Sequence, residues 1–262
     1  RLFMEGFILK KEQLKKRIAV SAKQLPADLV IKGGKIVDVF NLQIMEADVA
    51  ICDGMIVGIG EFKGKQEIDA TGQFIAPAFI DAHVHIESSM ASPREFAKIV
   101  LPHGVTTVIT DPHEIANVSG TAGISFMLEN SEGLDLDVLV MLPSSVPATA
   151  FENAGAILHD EDLRPFYSHP RILGLAEVMD FPAVRDRDEE MMNKIDTALE
   201  QGKPIDGHCA GLDKDAINIY RSAGIRTDHE SVSKEEINMK ISRGMYVLIR
   251  EGTTTRNLAE LL

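Results

Sequence analysis

FIDAHVHIESS, residues 79–89, reads as an apolar strand running into a polar loop, and it carries His83 and His85 two positions apart. Side chains at i and i+2 leave a strand on the same side, so both imidazoles face one interior and can share one cation. The alternative is a pair of core histidines. Two adjacent buried imidazoles without a metal or a carboxylate leave ring nitrogens unpartnered, which is costly, so the metal reading is preferred.

Downstream of this strand, apolar runs alternate with helical stretches, which argues for βα units around a parallel sheet. Candidate strands fall at 79–85, 105–110, 137–142, 172–177, 204–208, 225–229 and 245–249. A closed barrel of this class needs eight strands. The expected fold is therefore α/β, an incomplete TIM-type (β/α)8 barrel with about seven strands present, beginning near Pro77. Helices are expected over 93–101, with Ser92 as cap and Pro93 in the first turn, and over 188–201, with Met191, Met192, Ile195 and Leu199 on one face. The final RNLAELL reads as part of the seventh helix, so the chain is expected to stop before an eighth strand.

In such a barrel the carboxyl ends of the strands converge, and catalytic groups gather there. Glu177 ends the run ILGLAEV, His208 ends PIDGH and His229 ends IRTDH. With His83 and His85 they offer four imidazoles and one carboxylate, a donor set suited to Zn, Mn or Fe. His208 or His229 taken singly is as readily structural; the ordered set of five is far more specific. His103, His159 and His169 fall in helix or loop contexts and read as surface or structural residues.

Upstream the texture differs. Residues 8–24 place Leu9, Leu14, Ile18 and Ala22 at helical spacing among lysines, so 1–27 reads as a helical extension lying on the surface. Residues 28–76 are short β-branched runs punctuated by Gly33-Gly34 and Asp53-Gly54, which read as hairpins of a small β-sandwich-like domain. The barrel takes 77–262. The small domain is expected to lack partner strands supplied from beyond the barrel, leaving edges exposed. Arg1 stands where a Met would open a gene product, and the chain is read as a piece of something longer.

The 262 residues are 45% hydrophobic, enough to bury one large core, or a medium core and a satellite. A balance of 27 Lys+Arg against 40 Asp+Glu gives a net charge of -13, which repels phosphate backbones and anionic lipid. Nucleic acid and membrane are therefore not expected partners. The absence of a long apolar run or signal peptide points to the cytoplasm, and Cys52 and Cys209 read as reduced thiols.

Six segments carry a resemblance to a known family: AHVHIESSM at 82–90, VTTVITDPHEIANVSG at 105–120, LPSSVPATAFENAG at 142–155, AEVMDFPAV at 176–184, DGHCAGL at 206–212 and GIRTDHES at 224–231. The chain resembles the amidohydrolase superfamily and, more closely, its adenine deaminase branch, from about Lys15 to the last residue. The resemblance implies hydrolytic deamination of adenine to hypoxanthine and ammonia by a metal-activated hydroxide. It implies two divalent ions, Mn favoured, with His83 and His85 on one, His208 and His229 on the other and Glu177 between them, and catalytic roles for Glu177 and His229. Asp111, His113 and Glu114, just past the second strand, are expected to bind the purine or relay protons; Ser144, Ser145 and Glu152, after the third, are candidate purine contacts. A homodimer is the expected assembly. Ala78 stands where the family usually has glycine, which crowds a turn but removes no ligand. The family also takes an essential aspartate from the end of strand eight, which this chain is expected to lack.

Two rivals differ in class. Dihydroorotases, hydantoinases and isoaspartyl dipeptidases share the paired histidines but often bridge their metals with a carboxylated strand-four lysine, and no lysine lies in ILGLAEVMDFP. The other rival is an inert metal-binding fragment, motivated by the missing aspartate. The zinc site of cytidine deaminases needs H-x-E with P-C-x-x-C, which neither cysteine fits.

Overall fold

The computed structural model describes residues 11–149, 151–252 and 255–262. Residues 8–10 of the expected N-terminal helix and Ala150 of the loop after the third barrel strand lie outside these. The chain divides after Ala78 into two compact units.

In the first unit helix α1 (Lys11–Ser21) precedes strands β1 (Ala27–Asp38), β2 (Gln43–Cys52), β3 (Met55–Gly60), β4 (Gly64–Asp69) and β5 (Phe74–Ile75). They form one five-stranded sheet of order β3-β2-β1-β4, with β5 also on β1. β1/β2 and β2/β3 are antiparallel, and the second hairpin closes through Asp53-Gly54, both at positive φ (50 and 72) as a two-residue primed turn requires. Gly33-Gly34 makes no turn. It sits inside β1 as a bulge, where the register shifts between Ile31 and Gly34. Gly33 adopts φ 62 and donates its N–H to Asp48 Oδ1 at 3.1 Å, while Lys32 Nζ reaches Asp48 Oδ2 at 2.6 Å. The run QEIDATGQFIAP forms no hairpin either, because β4 and β5 both pair parallel to β1. The helix buries Val20 rather than the expected stripe: Leu14, Ile18 and Ala22 are exposed. Lys16 explains the rotation, since its ammonium reaches Asp28 at 2.9 Å and Asp53 at 2.5 Å and turns that face inward. Val20 joins Ala27, Val30, Ala50 and Cys52 in a small core.

The second unit is a seven-stranded, all-parallel sheet in sequence order, an incomplete (β/α)8 barrel. Its strands are β6 (Phe79–Val84), β7 (Val105–Thr110), β8 (Asp137–Leu142), β9 (Ile172–Val178), β10 (Ile205–Gly207), β11 (Thr227–Asp228) and β12 (Tyr246–Val247). Between and after them run α2 (Pro93–Val100), α3 (His113–Ser119), α4 (Thr121–Asn130), α5 (Asp160–Leu163), α6 (Phe181–Asp186), α7 (Glu189–Glu200), α8 (Lys214–Ser222), α9 (Lys234–Ile241) and α10 (Leu258–Leu261). Val138, Val140, Leu142, Ile172, Leu175 and Val178 of the central strands share one core with Ile124 and Met127 of α4, Met191 and Ile195 of α7, and Ile217 and Tyr220 of α8. Burial of each such side chain contributes about 1.5–3 kcal/mol. Gly174 of β9 lets the next strand approach: a Cβ there would lie 2.1 Å from Pro204 O.

Two helix details differ from the sequence reading. Ser92 makes no side-chain cap to α2; Pro93 in the first turn leaves one fewer amide to cap. On α7 the buried stripe is Met191, Lys194, Ile195 and Ala198, whereas Leu199 is 48% exposed. Lys194 turns inward because its ammonium donates to Ser144 O at 3.0 Å. Both cysteines are free and buried. No helix among the described residues is long and apolar enough to cross a membrane.

Candidate metal centre

Parallel strands in sequence order bring all their carboxyl ends to one edge of the sheet, and the histidines follow from that. His83 lies in β6 and His85 just beyond it, Glu177 is the penultimate residue of β9, His208 follows β10 and His229 follows β11. The five side chains expected as ligands meet there. Glu177 is the hub, 3% exposed. Its Oε1 faces His85 Nε2 at 3.3 Å and His83 Nε2 at 4.0 Å. Its Oε2 faces His208 Nδ1 at 2.5 Å and His229 Nε2 at 3.1 Å. Oε2 thus faces one pair of imidazoles, while Oε1 faces His85, with His113 at 3.4 Å and His83 farther off.

Asp206 was missed in the sequence. It lies in β10, two residues before His208, and its Oδ2 stands 3.2 Å from His83 Nδ1 and 3.4 Å from His229 Nδ1. Both are charge contacts rather than aligned hydrogen bonds, and His229 Nδ1 is buried without a hydrogen-bond partner. The two rings stack at 3.5 Å between centroids. A carboxylate behind Nδ1 holds the proton there and leaves Nε2 as a lone pair aimed into the cluster. The i, i+2 spacing that singled out His83 and His85 also relates Asp206 to His208, and was the available signal.

The donor set fits a divalent cation. His85 Nδ1 lies 2.9 Å from Asp111 O, and His83 Nδ1 faces Asp206, yet the two Nε2 atoms oppose each other at 3.1 Å. With both protons on Nδ1, two lone pairs meet head-on beside a carboxylate, an arrangement that a cation between them relieves without a change of tautomer. Protonation records the same demand. Burial opposes charge on His85, but Glu114 and Glu177 outweigh it and raise its pKa to about 11. Burial likewise opposes His229, but Asp206 and Glu177 raise it to about 10. Glu177 and Asp206, despite burial, are held well below the ordinary carboxylate range by the histidines around them.

The loop after β7 supplies a second layer. His113 Nδ1 lies 2.9 Å from Asp111 Oδ2 and 3.4 Å from Glu177 Oε1, and its ring is 4.6 Å from that of His85. Burial works against its charge, but Asp111 raises it to about 8. Asp111 is 2% exposed and burial pushes its carboxyl up. Glu114 Oε2 lies 3.3 Å from His85 Nδ1 and its Oε1 accepts from Ser88 Oγ at 2.9 Å. Ser144 and Ser145 are buried after β8; Ser144 donates its hydroxyl to Glu177 O at 2.6 Å and so props the strand under the hub. Glu152 is exposed, and among the described residues no contact ties it to the cluster.

The chain is similar to known proteins along nearly its whole length. Two proteins named adenine deaminase, from Geobacillus kaustophilus and Bacillus subtilis, are each 57% identical to the chain, over 95% and 97% of it. The chain spans only 43% and 44% of their lengths. Among solved structures, the zinc complexes of N-acyl-D-glutamate deacylase from Bordetella bronchiseptica and of atrazine chlorohydrolase from Arthrobacter aurescens superpose with TM-scores of 0.56 and 0.55. They cover 85% and 89% of this chain and 58% and 74% of their own, at 16% identity each, which speaks to the fold alone. The family model described as the amidohydrolase family matches residues 74–261, the whole span of parallel strands and every histidine of the cluster, and the chain belongs to that family.

Proposed function

We propose that this chain carries the metal-binding part of an enzyme that hydrolyses adenine to hypoxanthine and ammonia. The observation that carries the reading is the division of Glu177, one oxygen to His83 and His85 and the other to His208 and His229, in a chain 57% identical to adenine deaminases. In this proposal the two pairs hold two divalent ions and Glu177 lies between them. Mn is favoured, with Fe and Zn suited to the same donors. Such ions, when bound, lower the pKa of a coordinated water from 15.7 towards about 7.

The remaining work falls to side chains. The charge of Asp206, 3.2 Å from His83 Nδ1 and 3.4 Å from His229 Nδ1, favours the proton on those nitrogens and so leaves their Nε2 atoms toward the cluster. His229 and Glu177, both nearly fully buried, exclude solvent from the inner face of the cluster. His113 shares a proton with Asp111 through Nδ1, leaving Nε2 to meet the purine or its departing ammonia, and Glu114 lies 3.8 Å from that nitrogen. Ser144 and Ser145 are purine contacts in this reading, reached from the β8 end, while Glu152 rests on the resemblance alone. A small molecule is the substrate class; the net charge of -13 argues against nucleic acid. The proposal extends to a homodimer in the cytoplasm.

The test is ammonia release from adenine with added Mn²⁺, measured on this chain and on the complete product of its gene. Release with a matching loss of adenine absorbance supports the reading. Metal uptake without turnover by either protein would redirect it to other cyclic amidines.

A further inference from the structure

Behind the cluster lies a buried ion pair that no ligand role accounts for. Asp228, the last residue of β11, and Lys240 of α9 are each 0% exposed, with Lys240 Nζ 2.6 Å from Asp228 Oδ2. Four donors converge on this carboxylate. Cys209 N donates to Oδ1 at 2.8 Å; Glu230 N at 3.2 Å and Ser231 Oγ at 3.0 Å donate to Oδ2 beside Lys240. Lys240 also reaches Ser231 Oγ at 2.9 Å and Glu236 Oε2 at 3.8 Å. With its oxygens so occupied, Asp228 is not itself a ligand.

Two of those donors are the amides immediately after His208 and His229. One carboxylate therefore ties together the ends of β10 and β11 at the two positions whose imidazoles share Glu177 Oε2. β10 has three residues and β11 two, so ladder hydrogen bonds do little to hold these ends. A buried ion pair is a poor source of stability, because desolvation consumes much of its attraction and apolar replacements are often as stable. Its geometric effect is specific: it sets how far apart the two imidazoles stand.

We propose that Asp228 and Lys240 form a positioning pair that fixes the spacing of His208 and His229 for a divalent ion. The inference rests on the metal reading above. The experiment measures Zn²⁺ affinity of the purified chain by competition with a chromophoric chelator, alongside thermal unfolding of the metal-free protein. Asp228→Asn and Lys240→Met are expected to weaken Zn²⁺ binding by about tenfold or more, the range found for groups that orient metal ligands. Lys240→Arg, which keeps the charge, should recover part of it. A merely structural pair would lower the metal-free melting temperature and leave Zn²⁺ affinity unchanged, and that result overturns the inference. Should Asp228→Asn fail to give a cooperative melt, Ser231→Ala decides: loss of one hydroxyl on the pair is expected to cost roughly fivefold in Zn²⁺ affinity, and wild-type affinity overturns the inference. A wild-type chain that takes up no Zn²⁺ overturns the metal reading itself, and this inference with it.

Discussion

Substituting Asp206→Asn tests the back of the cluster, where a carboxylate and not a metal ligand is held to decide which imidazole nitrogen is free. Asp206 Oδ1 accepts from Gly207 N at 2.9 Å and from Thr227 Oγ1. An asparagine must therefore place its carbonyl oxygen at that position, since the reverse orientation sets an amide N–H against the Gly207 N–H. The NH2 group then faces His83 Nδ1 and His229 Nδ1, where Oδ2 now stands at 3.2 and 3.4 Å. Donor meets donor, both rings shift their proton to Nε2, and the nitrogens aimed at the ions are blocked. Groups that orient metal-bound histidines are worth about 10–100-fold in metal affinity. At the upper end this is about 2.8 kcal/mol. Metal binding stabilises the folded state by linkage, so the metal-induced rise in melting temperature should shrink by roughly 5–11 °C at saturating Zn²⁺ for a protein of this size. Chelator competition and calorimetry with and without Zn²⁺ are the assays. Zn²⁺ affinity within about twofold of wild type, with the metal-induced rise intact, would refute the tautomer argument.

Three further outcomes follow from the packing. Gly174→Ala should destabilise the barrel unit by about 2–4 kcal/mol, from overpacking and one strained strand hydrogen bond: the new Cβ meets Pro204 O, which accepts from Leu175 N at 3.0 Å. A urea midpoint unchanged from wild type would show that the neighbouring strand yields freely. Asp188→Ala removes the acceptor for Glu190 N and Met191 N, both at 3.1 Å, and should cost about 1 kcal/mol by the same measurement. Asp48→Asn addresses acid stability. Burial alone would raise the Asp48 carboxyl, but Lys32 and the amides of Phe62 and Gly33 outweigh it and lower it below the ordinary value of 3.8. A lowered carboxyl stabilises the fold above its unfolded value and loses that contribution as pH falls through the folded one. The variant should thus melt lower than wild type at pH 7, and the gap should close as pH falls through the lowered folded-state value of the carboxyl; parallel curves down through the acid range would show the carboxylate is not responsible.

Much of the architecture was legible because barrel strands are local. Strands β7 and β8 fall on the residues read from the sequence, since runs such as VTTVIT and DVLVML are rich in β-branched and apolar residues and bounded by polar turns. His83 and His85 were visible because two identical donors at i and i+2 need no long-range knowledge. The orientation of α1 and α7 was not legible, because Lys16 and Lys194 turn inward to meet acceptors 12 and 50 residues away, and no periodicity reports that. Nor was the role of Gly33-Gly34, since a pair of glycines permits both a turn and a bulge and only Asp48 on the partner strand selects the bulge. Asp206 and Asp228 mark the deeper limit. A sequence names donors and acceptors, and its periodicity sets which face they take. Which carboxylate stands behind which imidazole depends on the register of β10 against its neighbours and on the stacking of His83 upon His229, residues 146 positions apart that only closure of the sheet brings into contact.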